Sequence, residues 1–163
     1  MLTEQKGHKM VKIDLITGFL GAGKTTFIRN YAEYLMGKGE NIGILENDFG
    51  AVNVDMMLLQ DLEGEHCELE MVSGGCDKDC HRRRFKTKLI AMGMCGYDRV
   101  LVEPSGVFDV DEFFDVLREE PLDRWYWVGS VLTVGCPSCT GAFRRSRLYS
   151  GFRGGKCGKN PLK

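Results

Sequence analysis

The chain has 163 residues, 43% of them hydrophobic and 28% charged, with a formal charge of −1, a balance that fits one soluble α/β core and leaves no need for a second. No run of about eighteen apolar residues occurs, and Met1 to Met10 is polar without an apolar signal core, so a membrane span and secretion are not expected and a cytoplasmic protein is. The seven cysteines then point to metal or reactive thiols before disulfides.

Residues 11–17 (V-K-I-D-L-I-T) are short and mostly apolar, as a buried strand should be. Residues 18–26, G-F-L-G-A-G-K-T-T, come next, and they fit G-x-x-x-x-G-K-[ST]. A helix is predicted over 25–35, with Phe27, Ile28, Tyr31 and Leu35 at helical spacing. Strand, glycine loop and helix is the order a phosphate-cradling loop requires. Gly18, Gly21 and Gly23, with Ala22 between them, let successive amides turn inward at a helix N-terminus whose dipole favours anions. Lys24 is placed to reach the β- and γ-phosphates, the Thr25 hydroxyl to ligate Mg²⁺, and Thr26 to continue the cradle.

A second strand is predicted over 41–46, ending in E-N-D-F-G. Glu46, Asn47 and Asp48 then stand at the carboxyl end of a strand, where ligands sit in open α/β sheets; an acidic turn is the alternative. Met56 to Leu59 reads as a short helix or turn whose methionines pack. A half-exposed strand over 67–72 leads to S-G-G-C-D-K-D-C-H. There Cys76, Cys80 and His81 are candidate soft ligands for a Zn²⁺-like metal, or free thiols on a glycine loop. Arg82, Arg83 and Arg84 open a predicted helix to about Met94, either as a solvated basic face or as a docking site for phosphate or an acidic partner.

The core strand over 99–103 ends in Glu103, with Pro104, Ser105 and Gly106 after it. A carboxylate there is where P-loop proteins hold Mg²⁺ or its water, and Gly106 can bring an amide to the γ-phosphate. An amphipathic helix over 109–119 and a buried strand over 125–134 complete the predicted elements.

Four motifs in this order, G-F-L-G-A-G-K-T-T, E-N-D-F-G, S-G-G-C and V-E-P-S-G, resemble those of the CobW-type GTP-binding proteins, relatives of the GTPases that insert nickel into urease and hydrogenase. The resemblance covers roughly residues 11–134. It implies a P-loop NTPase fold, mostly parallel, and a GTPase that couples hydrolysis to metal insertion or cofactor assembly for a client metalloprotein or assembly enzyme. It places Lys24 and Glu103 in the chemistry, Thr25 and Glu103 on Mg²⁺, and residues 46–50 in a nucleotide-sensing switch. The family's C-x-C-C is not present, since Lys78 and Asp79 stand where its other cysteines would be. The guanine-reading [NS]-K-x-D element is also absent, so GTP over ATP rests on resemblance. An ATP-dependent small-molecule kinase or ATPase, or a non-catalytic metal- or RNA-binding module, are the alternatives.

Residues 135–163 contain seven basic residues and no acidic one, whereas residues 1–134 are net acidic. Two units are therefore expected: a partial nucleotide-binding domain over 1–134 and an aberrant or disordered basic tail over 135–163. The break in composition suggests a one-nucleotide frameshift near Val134. In the shifted frame, codon degeneracy permits a continuation from Thr133 beginning T-V-D-A-R-L-A-R-E-L-S-E-E-A-G-Y, which is acidic, alanine-rich and helix-forming. It also resembles the segment C-terminal to the V-L-T-V strand in CobW-type proteins. The alternative is a zinc- or RNA-binding tail carrying Cys136 and Cys139; otherwise nucleic acid is not an expected partner.

Overall fold

In the computed structural model, residues 9–19, 21–48, 54–73, 77–104 and 110–135 are described. They form strands β1 (Val11–Gly18), β2 (Ile42–Asp48), β3 (Cys67–Ser73), β4 (Arg99–Pro104) and β5 (Tyr126–Val134). The helices are α1 (Lys24–Met36), α2 (Val54–Leu59), α3 (Lys78–Cys95), α4 (Val110–Leu117) and α5 (Leu122–Trp125), with a 3₁₀ turn at Gln60–Leu62. All strand pairs are parallel, in the order β3-β2-β4-β1-β5. A parallel sheet needs crossovers that cover its faces, and its inner strands then read as continuous apolar runs. β4, R-V-L-V-E-P, is buried at every position.

Alternation along the strands sorts the core into two layers. On one face Ile16, Ile42, Ile44 and Leu101 pack against Ile28, Ala32 and Leu35 of α1 and Leu59 of α2. On the other, Ile13, Leu15, Leu45, Val100 and Val102 meet Phe85, Leu89 and Met92 of α3 and Phe113, Val116 and Leu117 of α4. The side chains of Phe85 and Leu89 are fully buried, and truncating either to alanine would cost about 2–5 kcal/mol.

Three details depart from expectation. Helix α3 starts at Lys78, four residues before Arg82, because the Asp77 side chain accepts the Cys80 N–H at 2.7 Å and caps the first turn. The arginines therefore sit a turn inside the helix and do not face the dipole's positive end. Met57 and Leu58 are exposed at 65% and 56%, while Met56 packs partly buried on the core and Leu59 is fully buried. Glu46, Asn47 and Asp48 belong to β2 itself, which extends further than the predicted strand.

Strand β5 is an edge of the described sheet, paired only to β1, and a register shift opposite Ile13 and Leu15 lets Asp14 reach it. Gly129 makes that possible, because a Cβ there would lie 2.3 Å from Asp14 Oδ1.

Candidate functional site

β1 ends at Gly18, beside Val134 at the end of β5, where a Cβ would lie 2.3 Å from the Val134 carbonyl oxygen. Gly21 and Gly23 have φ of 74° and 86°, a region costly for residues with a Cβ. The chain reverses here: Ala22 N–H donates to Phe19 O at 3.1 Å, and Phe27 N–H donates to Gly23 O as α1 begins. Gly23 is the N-cap of α1 and has no side chain to satisfy the first amides. Those amides and the helix dipole are thereby left to an external anion.

Lys24, the first residue of α1, is drawn in by two groups. Its Nζ donates to Phe19 O at 3.3 Å and lies 3.3 Å from Glu103 Oε1. Both side chains are largely buried, at 12% and 8% exposure. Glu103 stands on β4 directly opposite Glu46 on β2, and both carboxylates are buried. Paired residues on adjacent parallel strands point to the same face, so two acidic side chains lie abreast beneath the loop. The next residue of β2, Asn47, turns to the opposite face of the sheet, where its amide is 1% exposed with neither its oxygen nor its nitrogen hydrogen-bonded. A buried polar group without a partner costs free energy. Beneath the anion cradle, on the α1 face, the two buried carboxylates are gathered with the Lys24 ammonium. Carboxylate and hydroxyl oxygens form a donor set suited to a hard divalent cation.

The structure thus joins Gly18, Gly21, Ala22, Gly23, Lys24, Thr25, Thr26 and Glu103 at the carboxyl end of the sheet. Gly106 and Cys76 lie outside the described residues, as do residues 49–53 and the side chain of Asp48. Cys80 and His81 are adjacent in the first turns of α3 rather than on a glycine loop. Neighbouring helical positions face about 100° apart: His81 is buried in the core, and Cys80 is half-buried at the edge of β3. Among the described residues no group of three His, Cys, Asp or Glu side chains could hold a metal ion.

A second polar cluster was not anticipated from the sequence. Asp14, fully buried in β1, accepts from Arg99 Nη1 at 2.6 Å, Tyr31 Oη at 2.9 Å and the Ser130 N–H at 2.6 Å. Arg99 also donates to both oxygens of Glu40, at 2.8 and 3.3 Å. Burial works against the guanidinium's charge, but the hydrogen bonds to Glu40 and Asp14 outweigh it, and Arg99 is held above its ordinary value. Burial, then the Asp14 charge, pushes the Tyr31 phenol up to about 12. The signal in the sequence was a lone Asp in an apolar strand and an Arg at the head of another.

A parallel sheet between helical layers, with a glycine loop leading from β1 into α1 and an acidic residue at the end of a neighbouring strand, defines a P-loop NTPase. A profile of the CobW/HypB/UreG nucleotide-binding domain matches residues 12–138, and the chain belongs to that family. It is 31% identical over 126 residues to the zinc chaperone YeiR of Escherichia coli (strain K12), covering 77% of this chain and 37% of that protein. It is 30% identical over 134 residues to the zinc chaperone YjiA of the same strain, covering 76% of this chain and 40% of that one. The chain therefore spans about two fifths of the length of these relatives. The signal recognition particle receptor FtsY from Elizabethkingia anophelis shares the fold, with a TM-score of 0.54 at 17% identity over 77% of this chain and 42% of that one. No helix among the described residues is long and apolar enough to cross a membrane.

Proposed function

We propose that the chain binds GTP with Mg²⁺ at the loop of residues 18–26 and hydrolyses it, and that the nucleotide state governs transfer of zinc or a similar transition metal to a client metalloprotein or cofactor-assembly enzyme. The observation that carries the nucleotide half is Lys24, held between Phe19 O and Glu103 at the N-terminus of a helix whose cap supplies no acceptor. Phosphoryl transfer asks little of a protein beyond positioning and electrostatic stabilisation. The loop amides and the α1 dipole would hold the β-phosphate, and the Lys24 ammonium would sit against the β- and γ-oxygens. Thr25 and Glu103 would hold Mg²⁺ directly or through water, with Glu46 beside them. The metal supplies neutralisation of charge on the phosphate oxygens. Asp48 and the residues after it would sense the γ-phosphate, with Gly106 donating an amide.

The metal half rests on the family and on the zinc chaperones among its members; Cys76, Cys80 and His81 are its candidate ligands. Titration with fluorescent GTP and ATP analogues, with and without Mg²⁺, tests the nucleotide half. Mg²⁺-dependent binding that favours the GTP analogue is expected, and equal or absent binding of both refutes it. Metal content measured on the same sample tests the other half.

We further propose that residues 135–163 were read in a shifted frame. Acidic residues vanish there, and the family match ends at residue 138, within four positions of the break. Resequencing the coding DNA is expected to reveal a one-base change near codon 134; an intact frame encoding the same tail refutes it.

A further inference from the structure

Strand β3 is the other edge of the described sheet, bonded only to β2. In a parallel strand with one neighbour, alternate residues turn both N–H and C=O toward that neighbour and the rest turn both away. The bonds at the two ends of β3 fix the phase. His66 O accepts from Ile42 of β2, while Cys67 N–H and O are exchanged with Gly64 on the outer side. Ser73 O, also on the outer side, accepts from Arg84 Nη1 at 2.9 Å. The outward set is therefore Cys67, Leu69, Met71 and Ser73. Its lower end is closed by Gly64, leaving Leu69 to Ser73 as an open stretch of about 13 Å. Exposed edges are normally blunted, because they pair with other chains.

A groove of about 620 Å³ runs beside this stretch, between Met71, Val72 and Ser73 on the strand and Arg83, Arg84, Lys88 and their neighbours on α3. Its charge is one-sided. On the other flank of α3, Arg82 and Lys86 converge on Glu119, each at 2.6 Å. On the groove flank Lys88 pairs with Glu70 at 2.6 Å. The bonds of Arg83 and Arg84, in contrast, go to the carbonyl oxygens of Asp79 and Ser73. Two exposed guanidiniums thus stand over an open strand edge with no carboxylate partner among the described residues.

We propose that this groove binds a partner protein's extended acidic segment, which adds as a strand to β3 and sets its carboxylates against Arg83 and Arg84. Main-chain bonds to Leu69 and Met71 supply the register, and the guanidinium forks supply the preference for acid. Charge complementarity selects that occupant over this chain's own residues 135–163, which carry seven basic side chains and no acidic ones. The inference does not depend on the nucleotide reading, since none of these residues belongs to the loop.

The test is fluorescence polarisation of the full chain with a labelled pentapeptide alternating Glu and Val, its Lys and Val counterpart, and a single-stranded oligouridine. The acidic peptide is expected to bind, the basic one not to, and the amides of Leu69 and Met71 to gain hydrogen-exchange protection. R83E/R84E, two surface changes, should weaken binding roughly tenfold or more while leaving nucleotide affinity as it was. Met71→Pro removes an outward N–H without touching the charges and should also weaken binding, since an edge strand tolerates proline. Binding that survives either variant overturns the proposal, as does binding of the oligouridine in place of the peptide, or no binding at all.

Discussion

Two groups of charged side chains are buried beneath α1, one at each end of the strands, and they differ in how their charges are matched. At the amino end Asp14 receives three donors, and Arg99 divides its guanidinium between Asp14 and Glu40. At the carboxyl end Glu46 and Glu103 stand abreast, and Lys24 reaches one of them from 3.3 Å. The first group is internally complete and ties β1, β4, β5 and α1 together. The second concentrates like charge under a loop of inward-turned amides. Matched charges mark a structural cluster and like charges set side by side a binding one, because neighbouring buried carboxylates repel and a bound cation relieves them.

Substitutions can break or sharpen that contrast. Arg99→Ala should have the largest effect, leaving Asp14 and Glu40 without their cation and destabilising the fold by about 3–5 kcal/mol in denaturant unfolding. Lys24→Ala should weaken GTP-analogue binding by about 2–4 kcal/mol, with a smaller loss of stability than Arg99→Ala. An unchanged affinity would remove the phosphate site from consideration. Tyr31→Phe deletes one of Asp14's three donors and should cost about 1 kcal/mol.

That variant also carries a pH signature. The fold raises the phenol from 10.0 to about 12 and so favours its protonated form. The corresponding stability is fully present below pH 10 and is lost as pH rises toward 12. Tyr31→Phe should flatten that part of the alkaline unfolding profile. Glu46→Gln should have the smallest effect on stability and the opposite sign. Relieving two carboxylates side by side should leave the protein unchanged or more stable by up to ~1 kcal/mol, while Mg²⁺-dependent nucleotide binding weakens. A marked loss of stability would mean that the carboxyl-end group is structural after all.

The phosphate loop was legible because its chemistry is local: glycines, lysine and threonine act within nine consecutive residues, bracketed by a strand and a helix. The strands were legible for a similar reason, since apolar runs such as V-L-V in β4 have few other places to go. What spacing could not convey was partnership across the sheet. Asp14 and Arg99 each look anomalous in an apolar strand, but nothing in the chain says that they meet, or that Tyr31 and Glu40 join them. The same holds for Glu46, which was placed at a strand end but not opposite Glu103, a fact of register. The start of α3 was readable and was missed. Asp77 is an N-cap residue type, and its side chain holds the Cys80 N–H three residues on.

The strand order also sets a schedule. β1 lies between β4 and β5, and Asp14 finds its partners 85 and 116 positions further along the chain. At a synthesis rate of ~5–20 residues per second, the first strand waits roughly 6–23 s for its outer neighbour to be made. For most of that interval, until β4 is made, an apolar segment ending in the glycine loop has neither of its hydrogen-bonding neighbours, and contacts of such long range are slow to close even afterward. The phosphate loop is therefore among the first parts of this protein to be translated and among the last to take shape.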